Sequence, residues 1–230
     1  MHPISRAQKI ISLILKAIII LSAAAGSIIC ITSPTDTFMG GARVFMYFTF
    51  QSNIALALIS AVGGFFLIRG KGIPKFWHVI RLIGAVSITL TGAVFSFLLA
   101  PFMEDNIWNI QNILVHVIVP IASVIDFFLI GISGSSIKKK AAFLVIIPPL
   151  LYCVYAGIGY IRNWQFGEGY NYPYLFLDWG SPAGAFGFSD EPPYMGCVWW
   201  ILALGIAVIA VGFLYLYILD LLKKLVYRDK

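Results

Sequence analysis

Charge is what this sequence has least of. Only 11% of its 230 residues are Asp, Glu, Lys or Arg, where a soluble domain carries about a quarter. A water-exposed globular fold of this length is therefore excluded. Cysteine is also scarce: Cys30, Cys153 and Cys197 have neither metal-ligand nor CxxC spacing, so zinc and thioredoxin-like chemistry are unsupported. Cys30 and Cys197 fall near the same ends of their segments, which leaves a disulfide between them open until their separation is known. There is no low-complexity tract and no internal repeat of the kind transporters carry. What fills the chain instead is 60% apolar residues and 15% aromatics, with a mean hydropathy of +0.91. These define an integral membrane protein. Its net charge of +6 then sets orientation rather than a nucleic-acid surface. The expected partners are membrane lipids, with no nucleic acid.

Six segments reach the roughly 20 residues needed to cross a bilayer: about 8–32, 43–68, 77–101, 108–133, 141–162 and 195–222. The expected fold is an all-α bundle of six transmembrane helices forming one domain over 1–230. The first segment has basic residues before it and Ala23-Ala24-Ala25 within it. It is nonetheless too long for a signal-peptide core and carries Lys16 midway, so it reads as a span. Thirteen of the sixteen basic residues fall on the side of the termini, Arg43 and Arg162 on the other, and Lys16 within the first span. The positive-inside rule then places both termini in the cytoplasm. Pro148-Pro149 should kink the fifth span by removing two backbone donors. Between spans five and six, residues 163–194 are rich in Gly, Pro, Tyr and Trp. A loop this long and aromatic reads either as an ordered cap over an outer opening, with Tyr172, Pro173, Phe176 and Asp178 facing the pocket, or as a belt on lipid headgroups. Small residues at Ala23–Gly26 could pack inside the bundle or between protomers, so oligomeric state stays open.

Polar residues inside apolar spans carry the functional signal, because lipid cannot satisfy them. The stretch Arg43-Val-Phe-Met-Tyr-Phe-Thr-Phe-Gln-Ser-Asn53 puts Thr49, Ser52 and Asn53 on one helical face. Of three histidines, only His116 lies deep; His78 falls at the edge of span three, where an interfacial role is expected. Counted inward from the outer surface at 1.5 Å per residue, His116 is about 12 Å down and Thr49 about 9 Å. Their depths match, though adjacency does not follow from depth. Such a pair suits nucleophilic chemistry: a threonine hydroxyl needs a base, and a histidine is the usual one. Asn112, four residues before His116, and Asn53, one turn below Thr49, are candidates to orient the imidazole or stabilise an oxyanion. The plainer alternatives are a helix contact joined by small polar groups and a bundle histidine bonded to a neighbouring hydroxyl. Lys16 and Asp126, also at matching depth, suggest a structural ion pair or, alternatively, an ion or proton relay. Arg81 is expected to snorkel toward water.

Three motifs occur in order: Tyr47-Phe-Thr49-Phe-Gln-Ser-Asn53, Asn112-Ile-Leu-Val-His116-Val-Ile-Val-Pro120 and Tyr172-Pro-Tyr-Leu-Phe-Leu-Asp178. Together they resemble the prokaryotic branch of the androgen-induced protein and androgen-dependent TFPI-regulating protein family of six-span membrane proteins. Animal members are threonine hydrolases that cleave fatty acid esters of hydroxy fatty acids with an intramembrane threonine and histidine. The resemblance implies Thr49 as nucleophile, His116 as general base, an acyl-ester substrate, no cofactor or metal, and a bacterial plasma membrane. Gln51-Ser52-Asn53 departs from the animal pattern, and Ser52 offers a second hydroxyl, turned about 100° per residue around the helix from Thr49. The expected function is an intramembrane lipid-ester hydrolase. The rival expectations are a small transporter or channel along Lys16, Asp126 and His116, and a lipid-binding protein without catalysis.

Overall fold

The computed structural model describes residues 3–33, 41–70, 72–102, 107–134 and 137–227, with Phe102 described by its backbone only. These residues form an all-helical structure without strands. Six helices are long and apolar enough to cross a membrane: α1 (Arg6–Thr32), α2 (Phe48–Arg69), α3 (Lys75–Leu99), α4 (Ile110–Ser133), α5 (Lys139–Ile161) and α6 (Cys197–Tyr227). They build a membrane-type bundle. Its outward-facing residues include Ile14, Leu21, Leu58, Phe65, Leu151, Ile158, Ile206 and Leu225, all exposed, as lipid contact requires.

Local sequence explains the helix ends. A capping box starts α1: Ser5 Oγ accepts from the Gln8 amide while Gln8 Oε1 accepts from the Ser5 amide. Gly70, at φ 68°, closes α2 in the left-handed region. Span two departs from expectation at its start. Gly41–Met46 forms a separate 3₁₀ turn, Tyr47 is extended, and the helix begins only at Phe48. Span five is 3₁₀-helical over Lys139–Ile146 and becomes α-helical at Ile147. Pro148 and Pro149 thus occupy the first turn of the α-helical part, where an amide has no intrahelical partner and its loss costs little.

Two π-helical turns interrupt the ladders, at Phe95–Leu99 near the end of α3 and at Leu114–Ile118 within α4. The second has an identifiable cause. Pro120 has no N–H to give the His116 carbonyl four residues earlier, and its ring crowds that carbonyl. The helix therefore widens there, as π-turns commonly do at functional sites.

Helix α3 is central, touching α2, α4, α5 and α6, while α1 packs on α2 and α4. Glycines permit the closest approaches. A Cβ at Gly92 would lie 2.8 Å from the His116 carbonyl oxygen, and one at Gly26 2.5 Å from Val115 Cγ1. The small-residue face of α1 thus meets α4 inside the bundle, with Ala23 and Gly26 buried and Ala24 exposed.

The segment 163–194 folds back onto the bundle at the end opposite the termini. Phe166, Tyr174, Phe176 and Leu177 are buried in one cluster with Tyr47, Phe50, Phe95, Val115 and Tyr152. Its hydrogen bonds tie it down: Tyr47 Oη donates to the Phe166 carbonyl at 2.8 Å, and Trp200 Nε1 to that of Pro193 at 2.9 Å. Cys30, Cys153 and Cys197 are free thiols.

Candidate active site

The late start of α2 places Thr49 at a helix N-terminus. Thr49 is the second residue of the helix, buried beneath the cap. The first amides of a helix lack intrahelical acceptors and carry the positive end of its dipole. No side chain of Tyr47 caps this end. The Thr49 amide instead donates to Tyr174 Oη at 3.4 Å, so a tyrosine from the 163–194 segment covers the N-terminus of α2. Burial raises the pKa of the Tyr174 hydroxyl, with contacts to Thr49 pulling it partly back. It therefore stays protonated and able to donate.

His116 lies at the middle of the π-turn in α4, and its Nε2 stands 3.4 Å from Thr49 Oγ1. That distance is long for a hydrogen bond, yet within the range from which catalytic pairs tighten when substrate arrives. The ring stacks on Phe95, with centroids 3.8 Å apart and planes 10° from parallel. Phe95 belongs to the other π-turn and is itself met edge-on by Trp108. His116 Nδ1 is buried without a hydrogen-bond partner among the described residues. A proton on Nδ1 leaves the Nε2 lone pair directed at the threonine, the tautomer a general base requires.

Asn53 is held by two backbone carbonyls. Its Nδ2 donates to the Thr49 carbonyl at 2.7 Å and the Val115 carbonyl at 3.3 Å. It clamps α2 to the π-turn of α4 and has no N–H left for an oxyanion. The Asn112 side chain is likewise engaged, donating to the Ile107 carbonyl at 2.8 Å. Both side-chain amides bond backbone carbonyls near the pair. Ser52 Oγ lies 2.8 Å from Thr91 Oγ1 and bonds the Thr49 carbonyl at 3.0 Å, turned away from His116.

An apolar cavity of about 70 Å³ opens beside Thr49, walled by Phe48, Phe95, Tyr152, Tyr174, Phe176 and, deeper, Leu204 and Val208. His116 is not in its wall, so the hydroxyl stands between base and cavity. A second apolar cavity of about 190 Å³ lies between α3 and α6, sharing Leu90, Val94, Leu204 and Val208 with the first and reaching the exposed Phe97. Of the four pocket residues expected from the cap, only Phe176 borders the cavity. Tyr172 packs edge-on against Tyr170, and Pro173 is buried outside the cavity wall. Asp178 accepts from the Gly180 amide at 2.9 Å and holds its own turn. Tyr174, Phe95 and Tyr152 were missed as site residues. Tyr174 sits inside the Tyr-Pro-Tyr motif, so that motif was its signal; Phe95 has none in an apolar run.

Toward the other end, Lys16 forms a buried ion pair with Asp126. Arg81, expected to reach water, instead donates from Nη2 to the Asp126 carbonyl at 2.7 Å and to Oδ2 at 3.3 Å. Ser12 donates to Oδ1. His78, expected at the membrane edge, is also buried. It packs where Gly134 lacks a Cβ, which would lie 2.5 Å from the ring. Among the described residues no three His, Cys, Asp or Glu side chains gather as a metal site.

Compared with family models, with curated proteins and with solved structures, the chain matches none.

Proposed function

We propose that this protein is an intramembrane lipid-ester hydrolase with Thr49 as nucleophile and His116 as general base. The observation that carries the reading is the Thr49–His116 pair at 3.4 Å, buried beneath an aromatic cap and facing an apolar cavity. Buried hydroxyl and imidazole could simply bond each other. A hydroxyl at a helix N-terminus, backed by a base and fronted by chain-sized apolar space, has the parts of a nucleophilic site.

In this mechanism an acyl chain lies in the cavity and its ester carbonyl meets Thr49 Oγ1. As Oγ1 attacks, its proton passes to His116 Nε2, and the carbonyl oxygen takes up negative charge. The donor beside that position is the Tyr174 hydroxyl, and the positive end of the α2 dipole favours an anion there. Collapse of the tetrahedral intermediate breaks the ester C–O bond, and His116 returns its proton to the departing alkoxide. A water molecule then attacks the acyl-threonine, with His116 again taking the proton. The fatty acid leaves and Thr49 is restored. The cleft between α3 and α6, which adjoins the cavity through Leu90, Val94, Leu204 and Val208, supports sideways access from the bilayer. A fatty acid ester of a hydroxy fatty acid is the substrate type that the motifs imply.

The charge distribution supports cytoplasmic termini. The cap and the Thr49 site then lie toward the outer face of what we take to be a bacterial plasma membrane. An ion path is disfavoured by a dry layer: Ile19, Ala23, Leu56, Ile88, Val119 and Ala122 form a buried cluster of their own, contributed by the same helices that carry the two polar clusters.

Labelling of the detergent-purified protein with a fluorophosphonate probe tests the reading. Wild type and Ser52→Ala should label, while Thr49→Ala and His116→Ala should not. Folded wild type that fails to label, or labelling that survives in Thr49→Ala, overturns it.

A further inference from the structure

The lower polar cluster has more donors than acceptors. Lys16, Arg81 and Asp126 are each about 5% exposed or less, and together they hold two positive charges against one negative. Asp126 is already engaged: Ser12 donates to Oδ1, and Lys16 and Arg81 donate to Oδ2. Arg81 Nη1 is buried without a partner. Ser60 and Ser123, each 4% exposed, have no side-chain hydrogen bond among the described residues. Lys16, Ser60, Arg81, Ser123 and Asp126 border one small cavity, closed on its apolar sides by Ile19, Leu56, Ile59 and Phe127. With a volume of about 10 Å³, it has room for a single compact body rather than a multi-atom group.

We infer that this cavity is a binding site for one small monoanion of halide size. Charge points to it first: an uncompensated unit charge away from water is far more costly than any single hydrogen bond, so buried charges are found paired. A monoanion brings the cluster to neutrality. Hydrogen bonding points the same way. Arg81 Nη1, the free ammonium protons of Lys16 and the hydroxyls of Ser60 and Ser123 all offer donors. A water has two lone pairs for these donors and carries no charge, so it leaves the net positive charge of the cluster unpaired. A spherical anion accepts from every donor and balances that charge. Size excludes phosphate, sulfate and carboxylates, leaving chloride as the abundant ion that fits. The site joins residues of α1, α2, α3 and α4, so its occupant ties the inner halves of four helices together. This inference is independent of the hydrolase reading.

The test is thermal unfolding of the full-length protein, purified in detergent and exchanged into sodium gluconate. Sodium chloride or bromide is titrated in at constant ionic strength, with intrinsic tryptophan fluorescence as the readout. The expected result is a saturable rise in melting temperature, about 4 °C at ten times the dissociation constant. Sulfate should produce none. Ser60→Ala/Ser123→Ala should unfold in gluconate close to wild type but require about tenfold more chloride for the same rise. Lys16→Met, which makes the cluster neutral without an anion, should lose the dependence. Equal melting in chloride and gluconate overturns the proposal. So does a chloride effect that persists unchanged in the double serine variant, since that is a general salt effect; this variant decides the matter if Lys16→Met fails to fold.

Discussion

The bundle holds two buried polar clusters, and they are built on opposite plans. At the cap end, Thr49 and His116 are uncharged partners at a loose 3.4 Å, with Asn53, Ser52 and Thr91 fastening the surrounding backbone rather than the reactive atoms. At the termini end, Asp126 is gripped by Ser12, Lys16 and Arg81. The first cluster leaves its central groups loosely held beside an apolar cavity; the second binds its one carboxylate to three donors. A site that reacts needs groups that are positioned but not consumed, whereas a charge in hydrocarbon needs as many partners as it can find. Function and stability should therefore separate cleanly between the two ends.

Thr49→Ala tests that separation most severely. Loss of the nucleophile should lower hydrolysis and probe labelling by at least about 10³-fold, while the melting temperature shifts little, because the hydroxyl makes one long contact. Asp126→Leu should do the opposite. Leaving Lys16 and Arg81 buried together should cost about 3–5 kcal/mol of stability, seen as a fall in melting temperature, with little change in labelling rate of the protein that remains folded. Tyr174→Phe should sharpen the first cluster. It keeps the ring stacked on Phe176 and removes one donor to the oxyanion, so kcat should fall about 10²-fold with a smaller change in KM.

Gly92→Ala bridges stability and function. Its Cβ would press on the His116 carbonyl at 2.8 Å, and a backbone oxygen in a π-turn has little room to move. A destabilisation of about 1–3 kcal/mol and slower labelling should appear together; a change in stability alone would mean that the turn does not set the histidine's position. The smallest effect is expected from Ser52→Ala, which loses the bond to Thr91 for about 1 kcal/mol and leaves labelling near wild type.

Much of this site could be read along the chain. Thr49 and His116 stand out because hydroxyl and imidazole are rare within apolar spans, and Pro120 marks where α4 must deform. Depth is harder to read: the apolar run of span two opens at Arg43, but its helix begins at Phe48, because residues 41–46 form a separate turn. Thr49 therefore gains the dipole of a helix end, which spacing alone does not reveal. Asn112 and Asn53 were legible as polar groups near the pair, but not their partners. Which carbonyl a side-chain amide meets depends on helix rotation.

The sequence by itself determined the solvent of this protein and the number of its spans, because hydrocarbon rejects charge and fixes the length of an apolar segment. It also singled out the few polar residues that a membrane interior must accommodate. Tertiary structure alone decided which of them meet. Phe95 reaches His116, Tyr174 reaches the start of α2, and Arg81 turns to Asp126 rather than to water. Those contacts depend on how close α3 comes to α4 at Gly92 and on how residues 163–194 fold back. Both are set by packing between segments far apart in the chain, where no local pattern carries the information.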